Sequence, residues 1–117
     1  PLHYHDLIAK DGAVLLGGLC REWLNKTTGE TAISCSVITL PPHPRLKHIH
    51  TKASPLLLPK NLALVNQWLD ESITETAEFS PLLQPHIPYD LIAQQIDKPS
   101  TYRPVAEAHI ISNDRDI

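Results

Sequence analysis

The clearest β-strand pattern in the chain is Ile33-Ser34-Cys35-Ser36-Val37-Ile38-Thr39-Leu40-Pro41-Pro42. Its apolar and β-branched side chains alternate with serines over the first part of the run, which is the period of a β-strand. One face is mixed and the other becomes apolar toward Leu40, as in a strand that enters a core. The two prolines and Pro44 cannot continue the backbone hydrogen bonding, so the strand is predicted to end at Leu40.

Upstream of this strand, residues 2–9 and 13–19 are two apolar runs around the turn pair Asp11-Gly12, and they predict a β-hairpin. The pair Gly17-Gly18 predicts a bulge or the close approach of another backbone. Residues 21–24 are expected to form a short helix or turn.

His3 and His5 share one face of the first strand, and two imidazoles so placed suit a metal ion. No third ligand lies nearby in sequence, so we expect neither a metal nor a cofactor.

Downstream of the prolines, the elements are short. Residues 45–49 can form at most one helical turn, and residues 55–59 predict a short buried strand of leucines between two prolines. Asn61 precedes apolar residues at helical spacing as far as Leu69, which predicts a capped amphipathic helix. Further short helices are predicted near 81–84 and 89–95, and an extended segment over 102–111. Strands followed by short helices and a last strand indicate an α+β fold, not regular βαβ alternation.

Length and composition restrict the class of protein. The 117 residues amount to one domain, and no apolar run approaches a membrane span, so we expect a soluble chain without a membrane partner. Eleven prolines argue against a bundle of long helices. Cys20 and Cys35 are expected to be reduced and buried. The chain lacks methionine and begins at Pro1 without a signal peptide, which predicts N-terminal processing or a part of a longer protein.

Charge is uneven along the chain. The net charge is −3 with neutral histidines, so the chain as a whole has no basic footprint for nucleic acid. Residues 41–60 contain four cations, three histidines and no acid; the cations are Arg45, Lys47, Lys52 and Lys60. This segment is either a local phosphate-binding surface or a solvated basic face.

The unusual run within that segment is Lys47-His48-Ile49-His50-Thr51-Lys52. Neighbouring lysines disfavour an imidazolium, which helps a histidine to stay neutral and accept a proton near pH 7. The alternative is a pair of exposed histidines on a surface loop. No serine elbow, phosphate-binding glycine loop or cysteine lies beside this run, so the chain alone is not expected to be a complete enzyme.

The order of several short pieces resembles the SOS response-associated peptidase (SRAP) family from end to end. These pieces are Pro1-Leu2-His3-Tyr4, Lys10-Asp11-Gly12, Gly18-Leu19-Cys20-Arg21-Glu22-Trp23, Ser36-Val37-Ile38-Thr39, Ile49-His50, Pro55-Leu56-Leu57-Leu58-Pro59, Trp68-Leu69, Pro104-Val105 and Ser112-Asn113. The resemblance implies a mixed, mainly antiparallel β-sheet or barrel with short flanking helices. It identifies residues 1–117 as the C-terminal part of one such domain, with the N-terminal part absent from this sequence.

The resemblance also implies a function. Members of the family sense abasic sites in single-stranded DNA and crosslink to them through an N-terminal cysteine that self-cleavage exposes. The family's catalytic asparagine and glutamate have no counterpart here, whereas its histidine corresponds to His50, with an implied general acid/base role. Thr39 and Lys52 fall where contacts to DNA phosphate are expected. Glu22, in a Glu-Trp pair, corresponds to a later structural position and is expected to be non-catalytic.

Departures and alternatives accompany this resemblance. The family follows its histidine with a basic residue, methionine and proline, whereas here Thr51-Lys52-Ala53-Ser54-Pro55 follows His50. The implied partner is single-stranded DNA with abasic sites, and no obligate protein partner is implied. The implied location of the protein is the cytoplasm, on the nucleoid if the source is bacterial. One alternative is a non-catalytic DNA-binding or structural remnant of the same fold. Another is a small α+β interaction domain with an accidental resemblance.

Overall fold

The structure is a computed structural model that describes residues 3–114; Pro1 and Leu2, which contribute to the resemblance, and residues 115–117 lie outside the described part. In chain order the strands are β1 (Tyr4–Ala9), β2 (Gly18–Leu24), β3 (Thr31–Val37), β4 (Thr39–Leu40), β5 (Ser54–Pro55), β6 (Leu91–Ile96) and β7 (His109–Ile111). The helices are α1 (Leu62–Leu69) and the 3-10 segments Pro44–Leu46 and Thr76–Leu82. The fold is therefore the predicted α+β class.

All strand pairing among residues 3–114 is antiparallel, and no barrel closes there. One sheet has the order β1-β6-β7, while β2 pairs with β3 and β4 pairs with β5. In the larger sheet, His5 lies opposite Gln95, and Ala93 lies opposite both Leu7 and His109. The central strand β6 therefore determines which residues of β1 and β7 share a face.

The core lies against one face of the β1-β6-β7 sheet. Its fully buried side chains are Leu46, Leu57, Ile87, Leu91, Ala93 and Ile111. They come from the first 3-10 helix, the leucine segment after β5, the loop before β6, and strands β6 and β7. Residues 55–59 were predicted to form a buried strand, and Leu56, Leu57 and Leu58 are indeed at most 5% exposed. The strand itself is wrong, because β5 ends at Pro55 and Leu57 forms only a single bridge, to Leu16. This core fixes the loop that carries His50, because both Leu46 and Ile49 pack in it.

The glycine pair joins the core to the β2–β3 hairpin. The Gly17 N–H donates to the Leu56 carbonyl at 2.8 Å, and the Gly17 carbonyl accepts from the Ile38 N–H at 2.9 Å. A Cβ on Gly18 would lie 2.7 Å from the Ser36 carbonyl oxygen. The predicted close approach of another backbone is thus confirmed at both positions, and larger residues there would push the hairpin away.

The β2–β3 hairpin projects from this core with almost every residue exposed, so the expectation that residues 33–40 enter the core is wrong for β3. Its exposed large apolar side chains are Leu19, Trp23, Leu24, Ile33 and Val37. The Trp23 indole N–H donates to Ser34 Oγ at 2.8 Å, and the Arg21 guanidinium lies 4.1 Å from the indole centre. These contacts order the hairpin locally and leave its faces unpacked.

Three predictions of local structure are wrong. Residues 2–9 and 13–19 do not form a hairpin, because β1 pairs with β6 and residues 15–17 run beside the leucine segment. Residues 21–24 belong to β2, which forms a hairpin with β3, and residues 89–95 overlap β6. Strand pairing overrides the local preference in all three cases, with a distant partner for β1 and β6 and with the next strand for β2. The helix predicted near 81–84 falls at the end of the 3-10 segment Thr76–Leu82, and only His109–Ile111 of residues 102–111 forms a strand.

The prediction for the cysteines is also wrong. Cys20 and Cys35 lie directly opposite each other on β2 and β3 and form a disulfide, with their Cα atoms 4.2 Å apart. Both residues are exposed. Apolar neighbours in the sequence indicated burial, but the hairpin that carries them has no covering layer.

The predicted amphipathic helix is confirmed as α1. Asn61 is its N-cap, and its side-chain oxygen accepts from the Leu64 N–H at 3.3 Å. Trp68 packs edge-on against Phe79, with ring centres 5.1 Å apart. No helix among residues 3–114 is long and apolar enough to cross a membrane.

Candidate functional site

The candidate site is a group of imidazoles at one end of the core face of the β1-β6-β7 sheet. Because paired residues and residues two apart share a face, His5, Gln95, Ala93 and His109 lie on the same side of the sheet. Leu91 and Ile111 continue that side into the core. Apolar packing thus gives way to histidines at the end of the sheet where the 47–50 loop lies.

The loop that carries His50 is held by one buried residue. The Leu46 carbonyl accepts from the Ile49 N–H at 2.9 Å and from the His50 N–H at 2.8 Å. Leu46 is only 1% exposed, and Ile49 packs against the core. The single turn predicted for this segment is therefore present, and it leaves His48 and His50 exposed.

Contacts between rings join the loop to the sheet. Nε2 of His48 lies 3.2 Å from Nε2 of His109, and the two ring centres are 5.3 Å apart. The His48 ring stands edge-on to the His5 ring at 6.3 Å. Gln95 Nε2 donates to His3 Nδ1 at 3.1 Å. We call His3, His5, His48, His50 and His109 the histidine patch.

The environment of His5 favours its neutral form. Burial lowers the pKa of His5, and the positive charges that His48, His109, His3 and His50 can carry lower that pKa further. Its Nδ1 is buried without a hydrogen-bond partner among the described residues. His5 therefore stays an uncharged imidazole to a lower pH than a free histidine would.

The three residues expected to act on DNA lie near one another in the sequence, but their structural environments differ. His50 lies in the patch, whereas Thr39 is on β4, opposite Pro55 of β5. Lys52 is exposed in the turn between His50 and β5. Within residues 3–114, no hydrogen bond or ion pair joins Thr39 or Lys52 to His50. Glu22, expected to be non-catalytic, is exposed on the hairpin strand β2.

A second polar cluster, around Asp114, was not predicted from the sequence. Its carboxylate accepts from His43 Nε2 at 2.9 Å, from Arg45 Nη2 at 2.6 Å and from the Ile87 N–H at 2.8 Å. Burial by itself raises the pKa of Asp114, but the hydrogen bonds from Ile87 and His43 and the charges of His43 and Arg45 together hold it below its usual value.

The His43–Asp114 pair has a structural role. His43 is 6% exposed. Its ring Nδ1 accepts from the Arg45 backbone N–H, and its backbone N–H donates to Ser54 Oγ. Both ring nitrogens are thus occupied, so His43 has no free atom for proton transfer to a substrate. The pair instead ties the C-terminal segment to the first 3-10 helix and to β5.

Chemically, the site offers exposed imidazoles on an anchored loop. An imidazole can both accept and donate a proton near neutral pH, which suits general acid/base catalysis. Within the described part of the chain, no group of three or more His, Cys, Asp or Glu side chains is arranged to hold a metal ion. Lys47 and Lys52, which flank the loop histidines in the sequence, are compatible with a phosphate-bearing ligand, whereas Arg45 is paired with Asp114.

The chain is thus an α+β domain of antiparallel sheets with a histidine-bearing loop at the end of its core. Residues 3–99 match the family model for SOS response associated peptidase (SRAP). The chain therefore belongs to the SRAP family. No curated protein and no solved structure matches it significantly.

Proposed function

We propose that this chain is part of an SRAP-type enzyme that senses abasic sites in single-stranded DNA and crosslinks to them through an N-terminal cysteine exposed by self-cleavage. The observation that supports the proposal is the match of residues 3–99 to the SRAP family model, together with the exposed His50 on a loop anchored by Leu46, which we take as the counterpart of the family histidine. We place the protein in the cytoplasm, on the nucleoid if its source is bacterial.

The proposed reaction joins an aminothiol to the aldehyde of an opened abasic sugar. The amine adds to the aldehyde carbon, water leaves to give an imine, and the thiol sulfur then adds to the imine carbon, with its proton passing to nitrogen. His50 takes a proton from the adding amine and returns one to the departing oxygen. An exposed imidazole at neutral pH is suited to both steps.

The nucleophile is assigned to polypeptide outside this chain. Cys20 and Cys35 are paired with each other on the hairpin, so neither supplies the thiol. We propose that an N-terminal part of the same domain supplies the cysteine, together with the asparagine and the glutamate of the family, and packs on the exposed faces of the β2–β3 hairpin.

The surface area of the chain supports that missing layer. A compact monomer of this mass exposes about 6,400 Å², whereas this chain exposes 8675 Å². Its radius of gyration is 17.1 Å, against about 13 Å for a compact domain of the same length. The exposed apolar side chains of β2 and β3 contribute to this excess, and they suit a partner layer from the same domain.

Thr39 and Lys52 are proposed to contact DNA phosphates beside the reacting sugar. The Thr39 hydroxyl can donate to a phosphate oxygen, and the Lys52 ammonium supplies a charge in a segment without acids. Such contacts position the strand without reading its sequence.

The second candidate is a non-catalytic DNA-binding or structural remnant of the same fold. The observation in its favour is the run Thr51-Lys52-Ala53-Ser54, which replaces the basic residue, methionine and proline that the family places after its histidine. Under this alternative the DNA-binding surface remains and the covalent chemistry is lost.

A gel assay on the intact gene product distinguishes the two. The protein is incubated with single-stranded DNA that carries one abasic site, heated in detergent and separated by electrophoresis. We expect a shifted band that survives heating and is missing with undamaged DNA of the same sequence. Binding without a heat-stable band would favour the remnant.

A further inference from the structure

We propose that the histidine patch is a proton-dependent phosphate-binding surface, which holds single-stranded DNA more tightly as the pH falls from 7.5 to 5.5. This inference rests on the proposed function for the identity of its ligand. It adds a binding role for His3, His5, His48 and His109, beside the catalytic role given to His50.

Geometry brings the five imidazoles to one surface. His3 and His5 come from β1, His48 and His50 from the anchored loop, and His109 from β7. The ring contacts from His5 to His48 and from His48 to His109 make three of them continuous. His3, His48, His50 and His109 are exposed, so a bound strand can reach their ring nitrogens.

The charges that act on His5 are of one sign. The groups whose charges act on His5 are the four other imidazoles, with no carboxylate among them. Asp6 alternates with His5 along β1, so it lies on the opposite face, where its carboxylate accepts a hydrogen bond from Tyr102. Lys47 and Lys52 flank the loop histidines, while Glu107, the nearest acid before β7, is exposed in a loop. No described carboxylate is therefore bonded to a patch histidine to balance its proton.

The His48–His109 contact gives the proton dependence a mechanism. At 3.2 Å the two Nε2 atoms can share one proton, so one ring donates and the other accepts. When both rings are protonated, two donors face each other and repel. When the two rings move apart, one phosphate oxygen can accept from both, so DNA binding favours proton uptake, and by linkage a lower pH favours DNA binding.

The expected size of the pH effect on DNA affinity follows from counterion release. Each phosphate neutralised on a single strand adds about 0.7 to the slope of log K against log salt concentration. Two extra protons in the bound state would steepen that slope by about 1.4 between pH 7.5 and 5.5. At 0.1 M salt we expect the dissociation constant to fall at least tenfold over this range.

The test is fluorescence anisotropy with a labelled oligothymidylate and the intact gene product, in chelator-containing buffers matched in ionic strength. Thymine does not titrate between pH 5.5 and 7.5, so the proton dependence belongs to the protein. The double variant His48→Gln/His109→Gln should reduce the pH effect on the dissociation constant to threefold or less. His86→Gln, which alters a histidine outside the patch, should leave the tenfold effect intact.

Several outcomes would overturn the inference. These are a dissociation constant that does not change with pH, no binding at pH 5.5, or a double variant with the full pH effect. The oligothymidylate has no abasic site, so the result is separable from the proposed chemistry. A missing adduct together with intact proton-linked binding would sink the proposed enzyme and leave this inference standing.

Discussion

The carboxylate of Asp114 lies 2.9 Å from Nε2 of His43, although 71 residues separate them in the sequence. The same carboxylate accepts from Arg45 and from the Ile87 backbone. Leu46 directly follows Arg45 and anchors the loop that carries His50. The contacts of Asp114 with His43 and Arg45 therefore connect the C-terminal segment to the geometry of the candidate site.

We expect Asp114→Asn to destabilise the fold by about 1–3 kcal/mol, because hydrogen bonds that involve charged groups contribute at that level. The measurement is the free energy of unfolding by urea at pH 7. Asp11→Asn is the matched control, since Asp11 is exposed in a turn. Equal stability of the two variants would mean that the Asp114 contacts contribute nothing.

Acid should remove the same stabilisation. Since the folded-state pKa of Asp114 is held below its usual 3.8, protons bind the unfolded chain first as the pH falls. The contribution is thus complete above about pH 4 and is lost as the pH falls through the folded-state pKa. Urea unfolding between pH 6 and 3 should show a smaller acid-induced loss in Asp114→Asn than in the wild type. Parallel curves would contradict this.

A substitution of Leu57 tests the core beneath the loop that carries His50. It is 1% exposed and belongs to the buried cluster, so Leu57→Ala should cost about 2–5 kcal/mol of unfolding free energy. Leu69→Ala makes the same chemical change at a side chain that is 70% exposed, and it should cost far less. Similar losses for the two variants would show that Leu57 is not packed as described.

Lys52 tests the proposed phosphate contact. Lys52→Ala should lower the salt slope of single-stranded DNA binding by about 0.7, the effect of one phosphate contact, irrespective of sequence. Lys26→Ala removes an exposed charge from the β2–β3 turn and serves as the control. An unchanged slope in Lys52→Ala, measured by anisotropy between 50 and about 200 mM salt, would remove Lys52 from the site.

The sequence predicted those elements that local chemistry determines. The prolines follow the end of β4 at Leu40, Asn61 capped α1, and the leucines before Pro59 were buried. The strand predicted before those prolines is divided at Ile38 into β3 and β4, which have different partners.

Strand β6 was missed because its partner β1 is distant and residues such as Leu91 and Gln95 also suit a helix. Strand β2 was missed although its partner β3 is the next strand, because residues 21–24 lack the alternation of a half-buried strand. The exposure of Cys20 likewise depends on an uncovered hairpin, which no local pattern shows.

The candidate site was likewise predicted in part from local sequence patterns. The shared face of His3 and His5 and the loop with His48 and His50 were each visible as local patterns. Their meeting with His109 depends on the order of β1, β6 and β7, which the sequence did not specify. An isolated histidine near the end of the chain carried no signal of its own, and neither did Asp114.

The proposed function depends most on His50 as the general acid/base of an abasic-site crosslinking reaction. The most direct measurement is the single-turnover rate of heat-stable adduct formation by the intact gene product, with His50→Ala compared against His86→Ala. We expect His50→Ala to slow adduct formation by about 100-fold or more, as loss of a positioned acid/base does, while His86→Ala reacts like the wild type. Equal rates for His50→Ala and the wild type would contradict the claim.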